Sequence, residues 1–421
     1  MIFRALVLSL LSCAATFPCL GQPSSTPLFV GMITHVSSAS EFDVNGLHLH
    51  VAEPGMIVTR AKFGLDPKPS FVEPYLGGTA EVYGRLDKSS KTIEVSRVAI
   101  EPQMLGTVTG SGVIDAVVQA ARPGEPLIVR ADGYPILIGN GTKIHFKRPL
   151  NASTPISANL WIAFHGRQRA DGVVVAEAAV LNANTISDGQ SRLLDRVAYD
   201  PEAVAPGAHQ GGLSKRILGY DPRLEPPDPD QAMQKRVRTI GESLVPRYQR
   251  ELPDTDDTKI DFRFEVIDEP WLTAVALPSG VILVPRVLVE RLKDDSQLAA
   301  VLALNIAVTL EKQNLHVSLP KKVQIPADAA ATAAFAGLAG TSIELASGSR
   351  AGISSEPDPE KRKQNERVSL CLLHDAGYDI QQAPVAWWLL ASKEPKEMTA
   401  IKMPERSAYL YRILGTTWAN R

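Results

Sequence analysis

Three groups of residues in this chain have the types and spacing that could do chemistry. His48 and His50 stand two apart in Leu47-His48-Leu49-His50-Val51, so on a strand they share one face and can in principle hold one metal ion between two imidazoles. The sequence shows no third ligand, and polar residues on the wet face of a strand are commonplace, which favours a structural role. Cys371 lies in the apolar run Leu370-Cys371-Leu372-Leu373. Nucleophilic thiols need nearby positive charge and exposure, so this setting predicts a buried, inert one. The third group is Gln297 to Glu311, an apolar stretch with Asn305 set between Leu304 and Val308. An amide there can hydrogen-bond but cannot accept a proton near neutral pH.

The elements that must position these groups divide the chain. With 421 residues, 44% of them hydrophobic, two or three domains with ordinary cores are expected. A formal charge of -2 argues against a polyanion-binding surface and so against nucleic acid as a partner. Residues 1–21 have the anatomy of an export signal: one cation at Arg4, an apolar run from Ala5 to Leu11, then small and turn-forming residues up to a cut near Gly21-Gln22. A periplasmic or extracellular location follows. Lipidation at Cys13, after Leu10-Leu11-Ser12, is the alternative that would tether the chain to a membrane. A chain cut after Gly21 keeps only Cys371, which rules out an intramolecular disulfide.

From 28 to 185 the pattern is all-β. Asn45-Gly46 between Glu41-Phe42-Asp43-Val44 and Leu47 to Val51 is a two-residue hairpin signal, and Asp132-Gly133 and Asp171-Gly172 mark further turns. The segment is duplicated: Val82-Tyr83-Gly84-Arg85 recurs 82 residues later as Phe164-His165-Gly166-Arg167. Two tandem barrels, 28–105 and 106–185, are the simplest reading, since small sheets hide their edges by closing. They resemble the OB-like β-barrel repeats of unknown function found in exported bacterial proteins. A Pro/Gly-rich linker is expected over 186–229, with His209 solvated inside it.

Residues 230–421 read as mostly helical. A helix is expected from about Gln231 to Gln249 with Asp230 as N-cap, then a strand over Phe262 to Ile267 and a hairpin around Pro278-Ser279-Gly280. Further helices are expected over roughly 296–313, capped by Asp295 or Ser296, over the Ala-rich 327–340, from Asp358 or Pro359 to a Gly377 stop, over 383–392 and over 404–418. Trp387, Trp388, Tyr409 and Tyr411 are expected as core anchors.

Four pieces in this order resemble the HtpX/BepA-type zinc metallopeptidases of the gluzincin group. In that family an N-A-F-A-x-P-G-G hairpin precedes L-A-A-V-L-A-H-E-I-A-H, then E-x-x-x-D on a helix ending A-G-Y-D-P, then H-P. The matching text is Thr273 to Gly280, Gln297 to Val308, Arg362 to Asp379, and Met403-Pro404. The resemblance covers roughly 230–418 and implies an α+β, zincin-like, mostly helical domain.

Carried over residue by residue, it also implies that the zinc chemistry is gone. The metal-ligand positions are Leu304, Val308 and Arg362, the general-base position is Asn305, and the His of the final motif is Met403. Leucine and valine have no lone pair for zinc, and arginine repels it. Only Glu366, at the orienting Asp position, stays acidic. No cofactor is therefore expected, although the family uses zinc. The implied function is an exported, inactive peptidase-like protein that binds a peptide or protein. The implied binding groove is the hairpin edge at Leu277 and Val281, Ile282, Leu283 and Val284, lined by Asn305 and Glu366. The alternatives are an active metalloendopeptidase with ligands placed elsewhere, His316 and His374 lying near the relevant helices, and a purely structural envelope protein.

Overall fold

A computed structural model describes residues 26–60, 70–87, 92–103, 105–119, 126–196, 199–204, 222–269, 272–315, 359–392 and 403–419. The export signal, Cys13, His209, the Ala-rich 327–340 segment and His316 lie outside the described residues. The architecture is mixed: a sheet-rich N-terminal region precedes a C-terminal part made mostly of helices.

The first sheet runs β3-β2-β1-β5-β6-β4 and consists of β1 (Phe29–Val36), β2 (Glu41–Val44), β3 (Leu47–His50), β4 (Ile57–Thr59), β5 (Thr79–Asp87) and β6 (Thr92–Ile100). Alternation turns Ile33, Phe42, Val44, Leu49, Val82 and Val98 into one core. The second sheet runs β7-β12-β13-β10-β9-β8, with β11 also on β13. Its strands are β7 (Thr107–Val113), β8 (Ala116–Gln119), β9 (Leu127–Ala131), β10 (Tyr134–Ile138), β11 (Lys143–Phe146), β12 (Leu160–Gln168) and β13 (Val174–Ala183).

The sequence repeat has a structural counterpart. β5–β6 and β12–β13 are equivalent antiparallel pairs, and each carries a register shift at the repeated glycine, between Tyr83 and Gly84 and between His165 and Gly166. A Cβ at Gly84 would lie 2.2 Å from the Glu94 carbonyl oxygen, and one at Gly166 2.2 Å from that of Val175. The glycine is thus kept where a bulge brings two backbones together. In each copy a short strand that precedes the pair also joins it in parallel, β4 with β6 and β11 with β13.

The expected linker contains structure: helix α1 (Asp188–Arg196) and short 3-10 turns at Pro201–Ala203 and Pro222–Leu224. The C-terminal part then has α2 (Gln231–Leu244), α3 (Arg247–Glu251), β14 (Arg263–Ile267), β15 (Val275–Ala276), β16 (Val281–Pro285), α4 (Arg286–Arg291), α5 (Asp295–Leu310), α6 (Pro359–Asp375), α7 (Gln382–Ala391) and α8 (Glu405–Thr416). Asp230 caps α2 by accepting from the Ala232 and Met233 amides. The helix expected up to Gln249 is split at Pro246, which can only begin a new turn. The cap of α5 is Asp294, one residue before the expected position. At the end of α6, Gly377 takes φ +80°, and the Tyr378 amide reaches back to the Leu373 carbonyl. No helix among the described residues is long and apolar enough to cross a membrane.

Helix α5 is the centre of the main core: Leu298 to Ala303, Ile306, Ala307 and Leu310 all pack into it. The second β-unit docks onto this core through a row of ions. Arg130 is buried, with Nε 2.7 Å from Asp115 Oδ1 and its Nη atoms 2.9 and 2.5 Å from the Asp375 carboxylate at the end of α6. Arg367, on α6, pairs with Asp132, donates to the Asp132 carbonyl at 3.0 Å and to the Tyr409 hydroxyl at 2.7 Å, and lies 4.9 Å from the Tyr134 ring centre. Such pairs fix geometry more than they add stability, because desolvation offsets most of the attraction. The Asp132-Gly133 turn touches α6 so closely that a Cβ on Gly133 would meet the Cβ of Arg367 at 2.4 Å. Cys371 is buried beside the same turn, with Sγ 3.6 Å from the Gly133 carbonyl oxygen.

Candidate functional site

The residues that the resemblance puts at metal-ligand and general-base positions lie on two helices, Leu304, Asn305 and Val308 on α5 and Arg362 on α6, and α5 packs along α6. Leu304 and Val308 are one helical turn apart, Leu304 buried and Val308 half-buried, on a side of α5 that does not join the main core cluster. Asn305 is buried, and its Nδ2 donates to the Val301 carbonyl at 2.9 Å, one turn back in its own helix. Its side chain therefore serves the helix backbone instead of pointing a free group outward.

On α6, Glu366 keeps 1% of its surface accessible. Its Oε1 lies 2.5 Å from Nε of Arg406 on α8. Burial pushes its carboxyl up to about 7, against the pull of Arg406 and Arg362. The Arg406 guanidinium is stacked 4.2 Å from the Trp387 ring centre on α7, which fixes its plane. Arg362, one turn before Glu366, pairs at 3.6 Å with the exposed Glu405. Met403 packs with Met32, Trp388 and Tyr411, where the first β-unit meets the last helices. The group that results is a buried acid held between cations. It can exchange a proton near neutrality, but its burial keeps substrate atoms away from it.

The residues expected to form the hairpin edge lie in the interior of a small sheet. Val281–Pro285 is the middle strand of the three-stranded sheet, parallel to β14 and antiparallel to β15. Both of its sides are used, and it offers no edge to a ligand. Leu277, Val281, Ile282, Leu283 and Val284 are all buried. They also point two ways: Leu277, Val281 and Leu283 pack with Tyr199 and Ile267, while Ile282 and Val284 enter the main core. The edge falls instead on β15. Leu277 donates inward to the Val281 carbonyl, so alternation turns the Ala276 backbone outward, and Asn314 Nδ2 reaches its carbonyl at 3.3 Å.

Among the described residues, no group of three or more His, Cys, Asp or Glu is arranged to hold a metal ion. His374 lies 3.6 Å from Asp375 and against the Trp418 ring, at the far end of α6 from Arg362. Compared with known proteins, the chain matches no family model and no curated protein.

Arg406 itself carries no signal in the sequence that marks it as a site residue. The available signal was indirect: an acid on a buried helix face needs a counter-charge, but which of the chain's cations supplies it depends on the fold.

Proposed function

We propose that the chain is an exported cell-envelope protein whose C-terminal domain is HtpX/BepA-like with its zinc site lost, and that it binds a peptide or protein without cleaving it. The observation that carries this is the pairing of Glu366 with Arg406 beside Arg362. Of the two positions that are acidic in the family's E-x-x-x-D helix, one is a cation here and the other is neutralised by a protein cation. Leu304 and Val308, at the two histidine positions of the family frame, have side chains with no lone pair to offer a metal.

The peptide-binding edge in this reading is β15. An extended segment would add to it as a further strand through the outward amide of Ala276. Ala276→Pro removes that donor while leaving the inward bond of Leu277 in place. Binding of an extended peptide library should fall at least about tenfold in this variant, a loss of about 1.4 kcal/mol, with thermal stability little changed.

The two β-units are proposed as OB-like modules. Support comes from the second unit, where β7 and β8 follow one another and pair with β12 and β9, while β10 runs parallel to β13. Fixed to the helical domain by Arg130 and Arg367, this unit acts as a rigid platform beside the site.

The test is to restore the lost ligands. Leu304→His, Val308→His and Arg362→Glu are combined in a chain that also carries His48→Ala and His50→Ala, to remove other imidazole pairs. If the family frame is right, the folded variant takes up one zinc ion per chain. A folded variant that takes up none contradicts the frame.

A further inference from the structure

The hairpin β2–β3 of the first β-unit sets two histidines and two acids on one face. Its inward residues Phe42, Val44 and Leu49 are buried in the unit's core, so the alternate residues Glu41, Asp43, His48 and His50 share the outer face. The ladder sets Asp43 opposite His48 and Glu41 opposite His50. His48 Nδ1 lies 2.9 Å from Asp43 Oδ1, and His50 Nδ1 lies 3.4 Å from Glu41 Oε1. The imidazoles are 61% and 66% exposed, and β3 is the last strand of its sheet.

In each pair Nδ1 is the ring nitrogen that faces the carboxylate, so Nε2 is the one left for a ligand. This is the arrangement that metal-ligating histidines use, with a carboxylate behind each ring. The second β-unit gives a contrast. Aligned on the turns Asn45-Gly46 and Asp132-Gly133, Asp43 corresponds to Arg130, His48 to Pro135 and His50 to Leu137. There the hairpin is consumed in docking onto α6, with Arg130 buried against Asp115 and Asp375. In the first unit the same hairpin face is open to solvent, and it carries two imidazoles each backed by an acid.

We propose that His48 and His50 chelate one divalent transition-metal ion of the copper, nickel or zinc class through their Nε2 atoms. Asp43 and Glu41 hold the rings, and water completes the coordination. This needs two protein ligands only, and it is independent of the lost zinc site near Asn305. Two imidazoles select these metals over magnesium and calcium, which demand oxygen cages.

Titration calorimetry of the full mature chain with copper(II), zinc, magnesium and calcium chlorides tests this. Copper should bind at one ion per chain and more tightly than zinc, with no saturable binding of magnesium or calcium. His48→Ala and His50→Ala should each weaken binding at least about tenfold, and Glu41→Gln with Asp43→Asn about tenfold, through loss of ring orientation. His145→Ala with His165→Ala, which removes two other exposed histidines, should change nothing. All the variants sit on exposed strand faces, and unchanged melting confirms that they fold. Equal copper affinity in the His48→Ala/His50→Ala chain, no saturable binding at all, or preference for calcium would each overturn the proposal.

Discussion

Nε of Arg406 lies 2.5 Å from Oε1 of Glu366, joining α8 to α6 at a carboxylate with 1% of its surface accessible. Removing the cation leaves a buried acid without its counter-charge. Arg406→Met is expected to destabilise the chain by about 2 kcal/mol, below the ~3–5 typical of fully buried pairs because the arginine is partly exposed. Urea unfolding measures it. Adding Glu366→Gln should recover most of the loss, since a neutral amide needs no counter-ion.

The raised carboxyl of Glu366 makes stability depend on pH. Its folded pKa is pushed up from 4.5 to about 7, so between these values the folded chain holds a proton that the unfolded chain has released. Stability contributed by that proton is present below about pH 4.5 and is lost as pH rises toward 7. Asp132, pushed by burial to about 6, acts with the same sign over a lower window. Glu311, pushed well up by burial and by Asp132 and Asp115, adds to it. Unfolding free energy should therefore decline from pH 5 to 7. Glu366→Gln should flatten the decline by up to about 1.4 kcal/mol per pH unit, the limit for one proton.

The docking of the second β-unit depends on a glycine. Gly133 has φ +73°, and an added Cβ would meet the Arg367 backbone carbon at 2.6 Å. Gly133→Val combines left-handed strain with overpacking, at about 3 kcal/mol in total. Limited proteolysis between 186 and 229 should quicken in this variant, because Arg367 can no longer hold Asp132.

Much of this architecture is written in local signals. The Asp230 cap, the Asn45-Gly46 and Asp132-Gly133 turns and the Gly377 stop each depend on a few neighbouring residues, and each is found. The repeated Gly84 and Gly166 mark matching bulges for the same reason. Long-range partners are different: Asp132 and Arg367 are 235 residues apart, and nothing near either one names the other. Arg406 is hidden in the same way. The run Val281 to Val284 is legible as a strand, and it is the middle one, not an edge. Four apolar residues in a row describe a strand buried on both faces, and an edge strand facing solvent would alternate. Asp188–Arg196 is a helix within the expected linker, hidden because the prolines and glycines that follow dominate the composition of 186–229.

In the proposed family frame Leu304 and Val308 stand at ligand positions, and histidines there must be desolvated without a metal. Leu304→His is expected to cost about 2–3 kcal/mol and Val308→His less, since Val308 is only half-buried. Thermal unfolding in chelator reads both. Adding zinc to the chain that also carries Arg362→Glu should restore part of the loss.

Casein hydrolysis by the His48→Ala/His50→Ala chain, with and without a metal chelator, tests most directly the proposal that the C-terminal domain binds without cleaving. No cleavage above the buffer rate is predicted, with or without added zinc. Cleavage that chelator abolishes and zinc restores, and that disappears on Asn305→Ala or Glu366→Gln, would contradict it.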